Sequence, residues 1–179
     1  MGKDEFEDYL QLLEGFDMID RRMPVYFKSL KHFLPFVKRL VGRASRRLSF
    51  SLWPYHQPIL PELMDCFQER VAGNPFMRVR IIASGLSDSD FQRYMKAESP
   101  RQIKVYHCSL SSFPFDFPYH FGTSDRRGFW IEKPTSRFYS RHVSGLGSFN
   151  NPELSESLEK SFTRFWKYLK ERAEKRACA

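Results

Sequence analysis

Between residues 29 and 106 the spacing of apolar residues switches repeatedly between a helical and a strand period, which restricts the fold more than any other feature. Leu30, Phe33, Leu34, Val37, Leu40, Val41 and Ala44 recur at helical spacing and predict a helix over 29–46. Pro35 lies inside it and removes a backbone donor, so a start near Leu34 or a kink there is expected. Residues 47–53 (RLSFSLW) alternate apolar and polar, as a half-buried strand does, and Pro54 stops them. Leu60, Leu63, Met64, Phe67 and Val71 return to helical spacing, with Pro61 tolerable in a first turn. After a Gly73-Asn74-Pro75 turn, residues 77–83 (MRVRIIA) form the strongest strand, apolar enough to be central. Residues 87–97 read as a short helix capped by Ser87 or Asp88, and 102–106 as a further strand. This alternation predicts an α/β fold with a mixed, largely parallel sheet flanked by helices.

The flanking segments fit around that unit. Phe6, Tyr9, Leu10 and Leu13 predict an acidic amphipathic helix over 4–14, within an N-terminal extension of residues 1–28. The main domain is expected to span 29–179. Residues 108–119 are irregular and rich in Phe, Pro and Ser. Strands are expected at 128–132, after the Asp125-Arg126-Arg127-Gly128 turn, and at 137–141. They can add an antiparallel part to the sheet. Gly145-Leu146-Gly147-Ser148 reads as a glycine-rich loop. Asn151, Pro152 and Glu153 then cap and start a last helix reaching about Arg176, with Leu154, Leu158, Phe162, Phe165 and Leu169 as its buried stripe.

At 179 residues the chain is long enough to bury one domain core. No apolar run approaches the length of a membrane span, and the acidic N-terminus does not resemble a secretory signal. Three widely spaced cysteines argue for reduced thiols and against a disulfide frame or a zinc site. A cytoplasmic location and no cofactor are therefore expected. The net charge of +8 favours an anionic partner such as nucleic acid, anionic lipid or an acidic protein, and it equally serves solubility.

Several short motifs narrow this further. They are RLSFSLWP (47–54), RVRIIAS (78–84), HFGTSDRRGFWIEKP (120–134), GSFNNPEL (147–154) and FTRFWKYL (162–169). Their order resembles the phospholipase-D-like superfamily. It is similar above all to single-copy, non-catalytic members, such as the effector domain of TrmB-type regulators and the membrane-binding domain that follows the MIT module. The active family carries His-x-Lys, an Asp after four more residues, and then Gly-Ser-x-Asn. Here His120 matches the histidine, Gly122 stands where the lysine belongs, and Asp125 is too close to match the aspartate. Gly147, Ser148 and Asn150 match Gly-Ser-x-Asn in type but lie farther from His120 than in the active pattern. His142 is an alternative histidine, and it too lacks the lysine, with Ser144 in its place. The resemblance implies that one histidine attacks phosphorus while lysine and asparagine neutralise the phosphoryl oxygens. Loss of the lysine cation implies a module that binds and does not cleave.

The candidate ligand-binding residues are accordingly His120, Arg126, Arg127, Arg141, His142, Gly147, Ser148 and Asn150. Glycines and a following helix N-terminus suit a phosphate cradle, and they equally suit a plain loop with a cap. Arg126, Arg127, Lys133, Arg137 and Arg141, interleaved with Phe129, Trp130, Phe138 and Tyr139, fit a nucleic-acid surface or a solvated sheet face. Lys38, Arg39, Arg43, Arg46 and Arg47 form a second basic cluster suited to nucleic acid or anionic lipid. Two other functions remain open. One is a metal-independent phosphodiesterase or nuclease acting as a homodimer. The other is a scaffold domain with a protein partner.

Overall fold

The computed structural model describes residues 3–19, 22–86, 101–108, 120–132 and 144–177, together with Ser89 and Arg93. The strand-period segments meet in one sheet. Its described strands are β1 (Val25–Phe27), β2 (Arg47–Leu52), β3 (Arg78–Ser84), β4 (Ile103–Cys108), β5 (Phe121–Ser124), β6 (Gly128–Glu132) and β7 (Gly145–Ser148). They lie in the order β1-β7-β6-β5-β2-β3-β4. The sheet is mixed, as expected, and it is parallel in part where a largely parallel one was expected. β2, β3 and β4 run parallel, and every other neighbouring pair is antiparallel. The described helices are α1 (Lys3–Ile19), α2 (Leu30–Arg43), α3 (Leu60–Ala72) and α4 (Pro152–Ala177), with a 3-10 turn (Pro54–Ile59) leading into α3.

Two apolar layers sandwich the sheet. On one face α2 and α3 bury Phe33, Phe36, Val37, Leu40, Leu63 and Phe67 against Leu48, Phe50, Leu52, Ile81 and Trp130. Tyr9 and Leu13 of α1 join this core, and the Tyr9 hydroxyl donates to the His32 carbonyl at 3.0 Å. On the other face α4 lays Leu158, Phe162, Phe165, Trp166 and Leu169 over Ile82, Phe121 and Phe129. Each large side chain buried in this way contributes about 1.5–3 kcal/mol.

That magnitude explains Pro35. α2 begins at Leu30, as the apolar spacing over 29–46 predicts, and carries Pro35 in its interior, so the alternative start near Leu34 is not taken. An interior proline costs about 3 kcal/mol. Burial of Phe33, Phe36, Val37 and Leu40 along the same helix offsets it.

Two further expectations are corrected. β2 is not half-buried: Ser49 and Ser51, on its polar side, are as inaccessible as Leu48 and Phe50. α4 covers that side, and Ser49 Oγ accepts from Arg80 at 2.8 Å, so the serines enter a dry interface without losing a partner. The glycine-rich loop at 145–148 is instead β7, inserted between β1 and β6. Glycine is there for close approach. A Cβ on Gly147 would lie 2.3 Å from the Phe36 ring, and one on Gly145 would lie 2.2 Å from the Ile131 carbonyl oxygen. The helix expected at 87–97, the irregular segment expected at 108–119 and the strand expected at 137–141 lie largely or wholly outside the described residues, and Cys108 ends β4. Among the described residues no helix is long and apolar enough to cross a membrane.

Candidate functional site

The two end-on edges of the sheet, formed by the strand ends and not by the outer strands β1 and β4, have opposite chemistry. Strands β2, β3 and β4 begin at one edge with Arg47, Arg78 and Ile103. The β5–β6 turn reaches the same edge, because β5 pairs antiparallel with β2 in the register Leu48↔Ser124. A depression of about 1170 Å³ there is lined by Arg43, Arg46, Arg47, Arg78, Arg126 and Arg127, with Phe76 and Phe149. A second depression of about 340 Å³ continues it past Arg80, Arg101 and Lys104. Its basic side chains share the α4 face with the buried Glu159, which accepts from Arg80, from Arg47 at 3.3 Å and from Thr123 at 2.8 Å. Arg80 also stacks over Phe162 at 5.0 Å, so it belongs to the packing beneath α4.

One carboxylate organises the larger depression. Asp125 accepts from the backbone N–H of Ser45, Arg46 and Arg47 at 2.5, 2.9 and 2.7 Å, and from the Ser45 hydroxyl at 2.9 Å. Burial alone would raise this carboxyl, but the three N–H donors hold it below its ordinary 3.8. Its charge is thus committed to backbone. Among the described residues Arg46, Arg126 and Arg127 have no ion-pair partner. Asp125 and Arg126 have φ of 51° and 60°, the left-handed values of a tight hairpin turn closed by the Arg127 N–H on the Ser124 carbonyl at 2.9 Å.

The opposite edge holds a buried histidine cluster. The Trp53 N–H donates to His56 Nδ1 at 3.0 Å, so the ring proton sits on Nε2, which donates to Glu132 at 2.8 Å. The Tyr55 hydroxyl donates to the other Glu132 oxygen. Burial pushes the Glu132 carboxyl up, but the donors from His56 and Tyr55 outweigh it and hold it below the usual carboxylate range. Burial, aided by this paired carboxylate, raises the Tyr55 hydroxyl far above 10. His120 stands against Trp53, with ring centroids 4.1 Å apart, and burial lowers its imidazole to about 3. It is neutral at any ordinary pH. Two residues on, Gly122 leaves no room for a side chain: a Cβ there would lie 2.1 Å from Trp130 Nε1.

The residues singled out from the sequence therefore divide. Arg126 and Arg127 share the arginine edge with the second basic cluster, represented there by Arg43, Arg46 and Arg47. Gly147, Ser148 and Asn150 end at that same edge, since Ser148 pairs with Phe129. Ser148 is buried, and its Oγ accepts from the Asn150 N–H at 3.3 Å. His120 lies at the other edge, about 17 Å away along β5 at 3.4 Å per residue. Arg141 and His142 lie outside the described residues. Sequence reasoning missed Tyr55, His56 and Glu132. Only the unusual run WPYHQP, an aromatic and a histidine between two prolines, hinted at them.

No protein-family model and no curated protein matches the sequence. Among solved structures, the archaeal chromatin protein TrmBL2, described with a novel mode of DNA binding, matches with a TM-score of 0.59 and 12% identity. The match covers 93% of this chain and 61% of that one, so this chain spans about three fifths of TrmBL2. The two share a fold. A phosphatidylserine synthase from Haemophilus influenzae Rd KW20 matches more weakly, with a TM-score of 0.41, 13% identity, and coverage of 79% of this chain and 36% of that one.

Proposed function

We propose that this chain is a non-catalytic, phospholipase-D-like binding module that takes an anionic partner on its arginine-lined edge. The observation that carries this is the composition of the groove. Six arginines line it against a single carboxylate, and that carboxylate is committed to three backbone N–H groups. Arg46, Arg126 and Arg127 among them have no ion-pair partner in the described residues, and such guanidinium groups in a concave surface raise the local concentration of anions. Arg126 adds weight. A left-handed turn position prefers glycine, and holding an arginine there costs about 1–2 kcal/mol. Strain retained at one position is a mark of function. The DNA binding stated for TrmBL2 is in keeping with an anionic partner, and what supports the reading is the groove itself.

The non-catalytic half rests on His120 and Gly122. The His120 imidazole is aromatic-boxed and neutral and Gly122 leaves no room for a lysine, so neither position offers a cation to a phosphoryl transition state, a loss of roughly 10²–10³-fold per donor. Retention on phosphocellulose tests the binding half. The wild type should elute at high salt, and the Arg46→Ala/Arg126→Ala/Arg127→Ala variant at clearly lower salt. Equal elution of the two overturns the reading. Phosphodiester turnover with chelator present that disappears in His120→Gln would overturn the non-catalytic half.

A further inference from the structure

We infer that the arginine edge is a track for single-stranded nucleic acid, with Phe76 as its base-stacking platform. This rests on the anion-binding reading above and goes further by naming the polymer.

The first argument is the shape of the charge. The cations do not converge on a point, as they would for a phosphomonoester. They follow the edge from the β5–β6 turn (Arg126, Arg127) to the start of β2 (Arg46, Arg47), then β3 (Arg78) and the approach to β4 (Arg101). From the β5–β6 turn to β4 the row crosses three to four strand spacings of about 4.8 Å, so it is about 14–19 Å long. Successive strands rotate by about 20–25°, so the row twists along its length. A flexible single strand follows such a path, whereas a stiff duplex does not.

The second argument is Phe76. It lines the groove and is 80% exposed, more than any other large apolar side chain described. Its turn is nevertheless firmly pinned. The Phe76 N–H donates to Asn74 Oδ1 at 3.0 Å, the Asn74 amide donates to the Ser45 carbonyl at 2.6 Å, and Gln102 and Arg78 donate to the Pro75 carbonyl at 2.7 and 3.0 Å. An exposed aromatic ring on a pinned backbone, beside a row of guanidinium groups, is what sequence-tolerant single-strand binding requires, and only an unpaired base offers a face to it.

The test measures fluorescence anisotropy of a labelled 12-nucleotide dT strand, with its duplex, inorganic polyphosphate and phosphatidylserine vesicles as comparisons. The dT strand should bind more tightly than the duplex, with affinity falling steeply as salt rises. Phe76→Ala should weaken dT binding about tenfold and leave polyphosphate binding unchanged, while Phe76→Trp should keep both. If Phe76→Ala leaves dT binding unchanged, or if duplex or vesicles bind and the single strand does not, the track is overturned while the anion site stands. If neither polyphosphate nor dT binds, the anion site falls as well.

Discussion

Asp125 accepts the backbone N–H of Arg46 at 2.9 Å across a sequence separation of 79 residues. With the neighbouring bonds to Ser45 and Arg47, one carboxylate fixes where two arginine-bearing segments meet. Asp125→Ala should therefore act on both stability and binding. Losing several charge-assisted bonds should cost about 2 kcal/mol in urea unfolding. Retention on phosphocellulose should also weaken, although no cation is removed. Because the folded carboxyl is held low, its contribution is present above about pH 4 and is lost as pH falls through the folded value. An Asp125→Ala variant with unchanged unfolding and unchanged retention would show that the turn is held by other means.

Arg126→Gly separates strain from function. Glycine adopts φ 60° freely, so the variant should be more stable by about 1 kcal/mol. It should also bind anions less well, since one guanidinium is gone from the groove. Thermal melting and salt elution measured on the same sample check the pair. A variant that is stabilised and binds equally well would remove Arg126 from the site.

His120 predicts a pH dependence of definite sign. The unfolded chain protonates this histidine near 6.5, whereas the folded chain resists until about 3. Stability is therefore full above pH 6.5 and falls as pH drops, by up to about 1.4 kcal/mol per unit. The His32 imidazole is also lowered, by burial and by Lys31 and Lys28, so it adds to the slope in the same direction. The difference between wild type and His120→Gln isolates one group. Between pH 6 and 5, above the carboxylate range, the variant should show the shallower loss of unfolding free energy. Parallel curves would mean that His120 is not kept neutral by burial.

Two glycines make a paired test of the packing. Gly147→Ala puts a methyl group 2.3 Å from the Phe36 ring and 2.7 Å from the Phe129 carbonyl oxygen. It should destabilise by about 1–3 kcal/mol, the ordinary range for overpacking. Gly42→Ala, inside α2 with nothing within 4 Å, should stabilise by about 0.5–1 kcal/mol. Denaturant midpoints check both. A harmless Gly147→Ala would mean that β7 has room to shift away from α2.

The sequence by itself determined the alternation of helices and strands over residues 29–84, because apolar periodicity is a local property. It also showed, as charge clusters, the arginines at 43–47 and 126–127. It gave no sign that these clusters, 80 residues apart, form one groove, since that depends on β5 pairing antiparallel beside β2. It misread β7 as a loop because glycine is permissive in isolation, and the rings and carbonyls that demand its small size come from β1, α2 and β6. Ser49 and Ser51 looked solvent-facing until α4, more than a hundred residues later, covered them. His120 and the Gly-Ser-x-Asn run looked like parts of one site, yet strand direction sends them to opposite edges. Local patterns fix elements through the chain's own neighbours. Only long-range pairing decided burial, protonation and which charges stand together, because those depend on atoms far away in sequence.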